Sequence, residues 1–283
     1  MRRPLEISAE RNQIETIHKL TGAFEGIASM RISQIKSQVL ESKNFFDELW
    51  NIYTQIRVDS AFHYGRRSTE ENVIDKELLI VITAEGGFSG DIDQRLIDAM
   101  IKEHDPATQE IIVIGHHGAI QLAQRGVSIM RYFKLPQKDE NINVMPIIEF
   151  VQKYRKTTAY YQTYISLMNQ KVRKIGLQAA VKELGKDITT SHEVITEENY
   201  IFEPSTYEVV DHLERSMLNI ALSQIILESK LAQYASRFRA MSQANDKSKD
   251  TFEELTLQFN RSTRYQRDER LKEITSGLRK VKR

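Results

Sequence analysis

The chain has 283 residues and contains no cysteine. This absence excludes a disulfide scaffold, a thiolate zinc site and a cysteine nucleophile, and it agrees with a reducing compartment. Long apolar runs are also missing, because the longest aliphatic run, residues 78–82, is far shorter than the ~20 apolar residues that span a bilayer. No apolar segment of the kind found in signal peptides follows Arg2 and Arg3. We therefore expect no direct membrane insertion and no export.

Familiar catalytic motifs are absent as well, including Gly-x-Ser-x-Gly, His-Glu-x-x-His and a recognisable pair of catalytic carboxylates. His116 and His117 are adjacent, but neighbouring side chains of an extended segment point apart, which disfavours a metal or acid/base pair. Residues 83–90 read TAEGGFSG and lie between a predicted strand and a predicted helix, as in phosphate-binding loops, but lack the Gly-Lys-Ser/Thr ending of a P-loop. We predict no catalytic, metal-binding or cofactor-binding residue and no cofactor. A nucleotide-binding enzyme remains an alternative.

Charge is nearly balanced overall, with 40 basic and 39 acidic residues, which argues against a nucleic-acid partner. The carboxyl end differs, because residues 261–283 hold nine basic and three acidic residues and carry a local net charge of +6. Cations favour a helix C-terminus through the helix dipole, so this excess has a purely structural explanation. Attraction to an acidic partner surface is the alternative explanation.

Helix breakers are rare at the carboxyl end, and residues 205–276 contain neither proline nor glycine, which predicts a helix of 72 residues. Positions in this stretch recur at alternating spacings of three and four and form a coiled-coil seam, mostly apolar. The members of this seam are Leu213, Met217, Ile220, Gln224, Leu227, Leu231, Tyr234, Phe238, Met241, Asn245, Ser248, Phe252, Leu255 and Phe259.

A second long helix is predicted at residues 8–57, and it is the expected partner in an antiparallel coiled coil. Its seam comprises Ile14, Ile17, Thr21, Phe24, Ala28, Ile32, Ile35, Val39, Phe46, Leu49, Tyr53 and Ile56. We expect Phe24, Ile35, Leu231, Phe238 and Met241 to be central members of the joint seam.

The spacing of apolar residues changes in the middle of the chain. Residues 77–83 and 110–115 are aliphatic, β-branched runs separated by an amphipathic segment at 92–104, which predicts a βαβ unit with buried parallel strands. Further strands are expected at 128–133 and 144–148, and residues 149–184 are expected to be mostly helical. The predicted fold class is α/β, with a Rossmann-like domain at 61–204 inserted between coiled-coil helices at 1–60 and 205–283.

Several segments, in this order, resemble the gamma subunit of the rotary F-type ATP synthase. Residues 19–31, KLTGAFEGIASMR, are similar to the family's K-I-T-x-A-M-x-x-V-A-x-x-K-M, and residues 83–91 are similar to its T-S/T-D-R-G-L-C-G-G. Residues 200–204, YIFEP, are similar to Y-x-x-E-P, and residues 235–246, ASRFRAMSQAND, to A-x-R-M-x-A-M-x-x-A-x-x-N. Asn260 and Arg261 match the family's N-K/R. The resemblance covers residues 19–277.

The resemblance implies a non-catalytic central-stalk rotor that couples proton flow to ATP synthesis or hydrolysis. Its partners would be the alpha and beta subunits of the catalytic hexamer, the epsilon subunit and the membrane c-ring. It would be a peripheral protein on the cytoplasmic face of the bacterial plasma membrane, because no transit sequence precedes the first helix.

The terminal signature of the family, I-T-x-E-L-x-E-I-x-x-G-A, is only partly kept at residues 267–278, which read RDERLKEITSGL. In the family this segment meets the catalytic subunits, so the resemblance implies stator contacts at Thr263, Arg264, Arg267, Asp268, Arg270 and Glu273. The departures leave two alternatives open: a gamma-like rotor of a paralogous rotary ATPase, and a stand-alone coiled-coil scaffold.

Overall fold

A computed structural model describes residues 2–55, 74–136, 142–184, 201–203 and 205–281. Two long helices, four short helices and five strands are present in these ranges. In chain order they are α1 Pro4–Gln55, β1 Ile74–Ile82, α2 Ile92–Glu103, β2 Gln109–Ile114, α3 His116–Gln124, β3 Arg131–Phe133, α4 Met145–Val151, β4 Tyr154–Tyr164, β5 Gln170–Gly176, α5 Leu177–Leu184 and α6 Thr206–Val281.

The two long helices match the prediction closely. Helix α6 has 76 residues, and its first 71 residues coincide with the stretch that lacks proline and glycine. Helix α1 has 52 residues and begins with Pro4, where a missing N–H costs no hydrogen bond. Ile56, which the spacing places in the seam, lies outside the described residues. None of the helices in the described ranges is long and apolar enough to span a bilayer.

Contacts divide the chain into two compact units, one of residues 2–27 with 238–281 and the other of Ala28–Arg237. The predicted domain boundary after residue 60 lies outside the described residues, as does Pro204 at the second boundary. Both long helices contribute to both units, so the parts of α1 and α6 nearest the sheet belong to the same unit as the sheet.

The first unit is an antiparallel pair of helices. Buried residues of α6 recur every seven positions, at Met241, Ser248, Leu255 and Ser262, as expected for one position of a heptad. The Ser262 hydroxyl donates to the Arg2 carbonyl at 2.8 Å. Thr21, much later in α1, lies beside Asn245, much earlier in α6, so the two helices run in opposite directions.

The second unit is built on a five-stranded sheet in the order β3-β2-β1-β4-β5. All neighbouring strands are parallel except β5, which pairs with β4 in the antiparallel sense. The central strand β1 is buried on both faces from Leu78 to Ile82, which explains its unbroken apolar run. Both the βαβ unit and the α/β fold class are confirmed.

Each face of the sheet packs against different helices. One face of β1, including Leu78 and Ile80, shares a core with Phe46 of α1 and with Met217 and Ala221 of α6. The opposite face is covered by α2 and α3, and its core comprises Leu79, Val81, Leu96, Ile97, Met100, Ile111, Val113, Leu122 and Tyr160. The sheet therefore forms the middle of three layers.

Two expectations for the middle of the chain are wrong. Residues 144–148 were expected as a strand, but helix α4 begins at Met145, and Pro146 in its first turn suits a helix start. Residues 149–184 were expected to be mostly helical, but most of them form β4 and β5. Strand β4 is rich in tyrosine and threonine, which favour strands, and it is held by parallel pairing with β1.

We expect the Phe46→Ala variant to lose about 3–5 kcal/mol of unfolding free energy, because Phe46 is fully buried in the core that joins α1, α6 and the sheet. Phe45 is the matched control, since its side chain is 55% exposed on the same helix. Urea denaturation followed by circular dichroism measures both changes. Similar losses for the two variants would contradict the assigned packing of α1.

Candidate functional site

The end of α6 carries the residues that the resemblance assigns to stator contacts. Among the side chains that the structure describes, through residue 277, Ser262 is the last buried one of the helix, and Arg264, Arg267, Asp268, Arg270 and Glu273 are all exposed. Thr263 is half-buried, and no hydrogen-bond partner for its hydroxyl is found among the described residues. Because Ser262 contacts Arg2, the chain's second residue, the helix from 263 onward continues beyond the start of α1.

Charged and apolar side chains share one face of this exposed segment. At 100° per residue, Arg264, Arg267 and Arg270 lie within about a third of the helix circumference. Leu271 and Ile274 fall within the same arc and are 62% and 59% exposed. We call these five residues the end patch. A surface that combines three arginines with exposed aliphatic side chains suits a partner that is both apolar and acidic.

The five residues that were expected to be central members of the joint seam lie in different environments. Ile35, Leu231 and Met241 are buried, and Phe238 is half-buried. Phe24, in contrast, is 38% exposed. Its expected position in the seam is therefore corrected, because the buried positions of α1 on either side of it are Thr21 and Ala28, which are seven residues apart.

The seam of α1 in the first unit is more polar than its spacing suggested. Its buried and half-buried members are Ile7, Arg11, Ile14, His18, Thr21 and Glu25. These positions form a strict heptad with alternating spacings of four and three. Ile14 and Thr21 belong to both the predicted and the observed seam. Ile17 and Phe24 are apolar but each lies one residue before the seam position, which His18 and Glu25 occupy.

Polar side chains from both helices meet in this seam. Thr21 Oγ1 lies 3.2 Å from Asn245 Oδ1, and Asn245 Nδ2 lies 3.5 Å from a Glu25 carboxylate oxygen. His18 Nδ1 lies 3.3 Å from the Asn245 carbonyl and 3.4 Å from the Ser248 hydroxyl. A polar layer of this kind fixes register, because sliding the helices would leave buried polar groups without partners.

In the second unit, the loop of residues 83–90 joins the carboxyl end of β1 to α2 and contacts α6. The buried Ser236 hydroxyl donates to the Ser89 carbonyl at 2.7 Å. Arg237 donates to the carbonyls of Gly87 and Gly86, each at 3.2 Å. These contacts attach the loop to the helix through its backbone.

The same loop is unsuited to binding phosphate. The Ala84 N–H points at the Asp93 carboxylate at 3.3 Å, and the His116 N–H at the start of α3 donates to Glu85 at 3.2 Å. Asp93 and Glu85 therefore place two carboxylates beside the loop, and their charge would repel a phosphate. In the part of the chain that the structure describes, no group of His, Asp and Glu side chains could hold a metal ion.

Asp93 is the centre of a buried polar chain that spacing did not identify. It is 1% exposed and accepts from Gln162 Nε2 at 2.9 Å, and it lies 2.8 Å from His117 Nδ1. Gln162 Oε1 accepts from the Ser229 hydroxyl at 2.6 Å and lies 3.5 Å from Gln233 Nε2. One signal was available, since Ser229, Gln233 and Ser236 share one helical face amid apolar neighbours.

The comparisons with known proteins agree with the motifs. A family model described as ATP synthase matches residues 5–280. The chain belongs to the ATP synthase gamma family. It is 23% identical to the ATP synthase gamma chain of Mycoplasmoides gallisepticum, covering 97% of this chain and 98% of that one. It is 25% identical to the gamma chain of Pelotomaculum thermopropionicum, covering 93% and 94%. The resemblance found from the motifs is confirmed, and the chain is one subunit of a larger complex.

Solved structures share the fold. A chain of the Euglena gracilis mitochondrial ATP synthase, from a structure of OSCP, F1 and the c-ring, has a TM-score of 0.64 at 13% identity. The match covers 98% of this chain and 94% of that one. A chain of the Tetrahymena thermophila mitochondrial ATP synthase, from a structure of the central stalk and c-ring, has a TM-score of 0.54 at 15% identity, covering 80% and 99%. Two long helices with an inserted α/β sheet are therefore the fold of a gamma chain.

We expect the pKa of His117 to fall in the Asp93→Asn variant. The hydrogen bond to Asp93 raises the pKa of His117, against the opposing effect of burial, and the negative charge of Asp93 adds to the increase. Protonated His117 therefore stabilises the fold fully below its unfolded pKa of about 6.5, and this contribution is lost as the pH rises through the folded pKa.

NMR titration of the His117 imidazole resonances, from below its unfolded pKa to above its folded pKa, measures the change in the pKa of His117. Asp98→Asn is the matched control, because it removes an exposed carboxylate from the same helix. An unchanged His117 titration in Asp93→Asn, or an equal change in Asp98→Asn, would contradict the assigned pairing.

Proposed function

We propose that the chain is the central-stalk rotor of a proton-transporting F-type ATP synthase and that it catalyses no reaction itself. It would couple ion flow through the membrane c-ring to ATP synthesis or hydrolysis in the alpha and beta subunits, and it would also contact the epsilon subunit. The end patch is the observation that carries this proposal, because it is an exposed helical surface that no described residue of the helix pair covers.

The end patch would lie inside the catalytic hexamer and contact the alpha and beta subunits there. Arginines would be attracted to acidic residues of the hexamer, and Leu271 and Ile274 would meet its apolar lining. Because the patch occupies only one arc of the helix, rotation would present a different surface to each catalytic subunit in turn. Such differential contact is what a rotor needs to change the nucleotide affinity of distant sites.

The helix pair supports the same function. A rotor must keep its two helices in one register under load, and the polar layer around Asn245 opposes slippage. The loop of residues 83–90 supports a non-catalytic role, because the carboxylates of Glu85 and Asp93 lie beside it and would repel a phosphate. By analogy with bacterial gamma chains, the complex would lie on the cytoplasmic face of the plasma membrane, with this subunit peripheral to it.

We expect the Arg264→Ala, Arg267→Ala, Arg270→Ala triple variant to bind the catalytic subunits about tenfold more weakly. Three exposed ion pairs at roughly 0.5 kcal/mol each give this magnitude. ATP-driven ion pumping into inverted vesicles should fall accordingly. The difference from the parent should shrink as the salt concentration rises, because salt screens these ion pairs in the parent.

A control variant removes the same charge elsewhere, through Lys102→Ala, Lys171→Ala and Lys182→Ala on the exposed surface of the α/β part. Unchanged pumping and unchanged affinity in the triple arginine variant would reject the role of the end patch. An equal loss in the lysine control would assign the effect to net charge rather than to the patch.

Co-purification separates a rotor from a stand-alone coiled-coil scaffold. We expect the tagged chain to be recovered with several ATPase subunits in unequal stoichiometry, one copy of this chain for each catalytic hexamer. Identification of those subunits by mass spectrometry also separates the standard complex from a paralogous rotary ATPase. Recovery of the chain alone, from cells that assemble the complex, would reject the rotor function.

A further inference from the structure

The side of α6 that faces the sheet changes character along its length. From Ala221 to Ile226 its buried residues are mainly aliphatic and join the core of the sheet. Beginning about one turn later, the buried residues on this side include Ser229, Gln233 and Ser236, which are 0%, 4% and 0% exposed. Burying three polar side chains is costly unless each finds a partner, so this change calls for a specific explanation.

Each of these side chains has a partner on the carboxyl edge of the sheet or on the loop that follows β1. Ser229 and Gln233 meet Gln162 of β4, and Gln162 in turn donates to Asp93. Ser236 donates to the Ser89 carbonyl. Ser229, Gln233, Gln162 and Asp93 therefore form one connected set, which strengthens each hydrogen bond within it, whereas Ser236 bonds separately to the loop backbone.

Arg237 adds further contacts between α6 and the loop. Its guanidinium donates to two consecutive loop carbonyls, and it lies 5.1 Å from the centre of the Tyr234 ring on the same helix. A planar guanidinium held by two acceptors and an aromatic ring has little rotational freedom. The arginine therefore restricts both the orientation of the loop and its distance from α6.

The loop held by these contacts is conformationally strained. Phe88 has a φ of 67°, which is unfavourable for a bulky residue. Such a conformation persists only where surrounding contacts determine it. The contacts are provided by Ser236 and Arg237 on one side and by Asp93, which accepts from Ala84, on the other.

We propose that Gln233, Ser236 and Arg237 form a torque-transmitting clamp between α6 and the α/β part of the rotor. This inference rests on the proposed rotor function and assigns these three as positioning residues. Torque about the helix axis acts as shear between α6 and the sheet. Apolar packing is non-directional, whereas hydrogen bonds weaken steeply when their geometry is distorted, so the polar contacts resist the shear.

Single-molecule rotation of the assembled complex tests the clamp. The chain has no cysteine, so Lys182→Cys on exposed α5 provides a unique attachment site for a probe on the α/β part. With the catalytic subunits immobilised and ATP supplied, the angular variance of the probe during each pause reports torsional stiffness. We expect Arg237→Ala to raise this variance about twofold, since it removes two of the three hydrogen bonds that α6 donates to the loop.

The rate of ATP hydrolysis should remain within error of the parent, because the clamp touches no catalytic subunit in this proposal. Gln233→Leu keeps the side-chain volume but removes its hydrogen bonds, and combined with Arg237→Ala it should raise the variance further. Arg237→Lys should restore part of the stiffness, since lysine still donates to a carbonyl. Arg215→Ala is the matched control, because it removes an α6 arginine that is paired within the same helix to Asp211.

The possible failures are distinguishable. If the parent chain does not assemble or its probe does not rotate, the rotor function is wrong. If the parent rotates and the Gln233→Leu, Arg237→Ala variant keeps the parental variance, or the Arg215→Ala control rises equally, the clamp alone is wrong.

If a variant does not assemble, hydrogen exchange on the full isolated chain tests the clamp instead. We expect faster exchange of the amides at residues 84–90 in Arg237→Ala, with exchange in β1 unchanged. Unchanged loop protection would overturn the clamp.

Discussion

The structure depends on the burial of one side of α6. A helix of 76 residues with this many charged side chains gains little stability from helix propensity alone, and most of its stability comes from packing. Two different surfaces provide that packing. In one unit the partner is the first part of α1, and in the other it is the sheet together with the second part of α1.

The two surfaces impose different rules on the same helix. Against α1, residues at spacings of seven are buried, and the polar layer around Asn245 sets the register. Against the sheet, aliphatic side chains bury area, and the polar row from Ser229 to Ser236 sets position and direction. In both units, hydrophobic burial supplies most of the stabilisation, while a few polar contacts select one arrangement among several apolar ones.

Membership of the gamma family at 23–25% identity is consistent with this division of roles. Many combinations of aliphatic residues can fill a core of the same volume, so the fold survives extensive substitution. The end of α6 is different, because its exposed residues are not constrained by packing within the chain. The distinctive arginines of the end patch can therefore match one particular set of partner subunits.

The sequence by itself determined the two long helices, the βαβ unit and the exposed basic end. The lack of helix breakers, the spacing of apolar residues and the local charge can each be determined from neighbouring residues, without knowledge of distant ones. Only the tertiary structure decided that residues 154–176 form strands, because β4 gains its stability by pairing with β1, about 80 residues earlier in the chain. The polar chain through Asp93, Gln162 and Ser229 was equally hidden, since its members are 67 and 69 residues apart and meet only when α6 packs on the sheet.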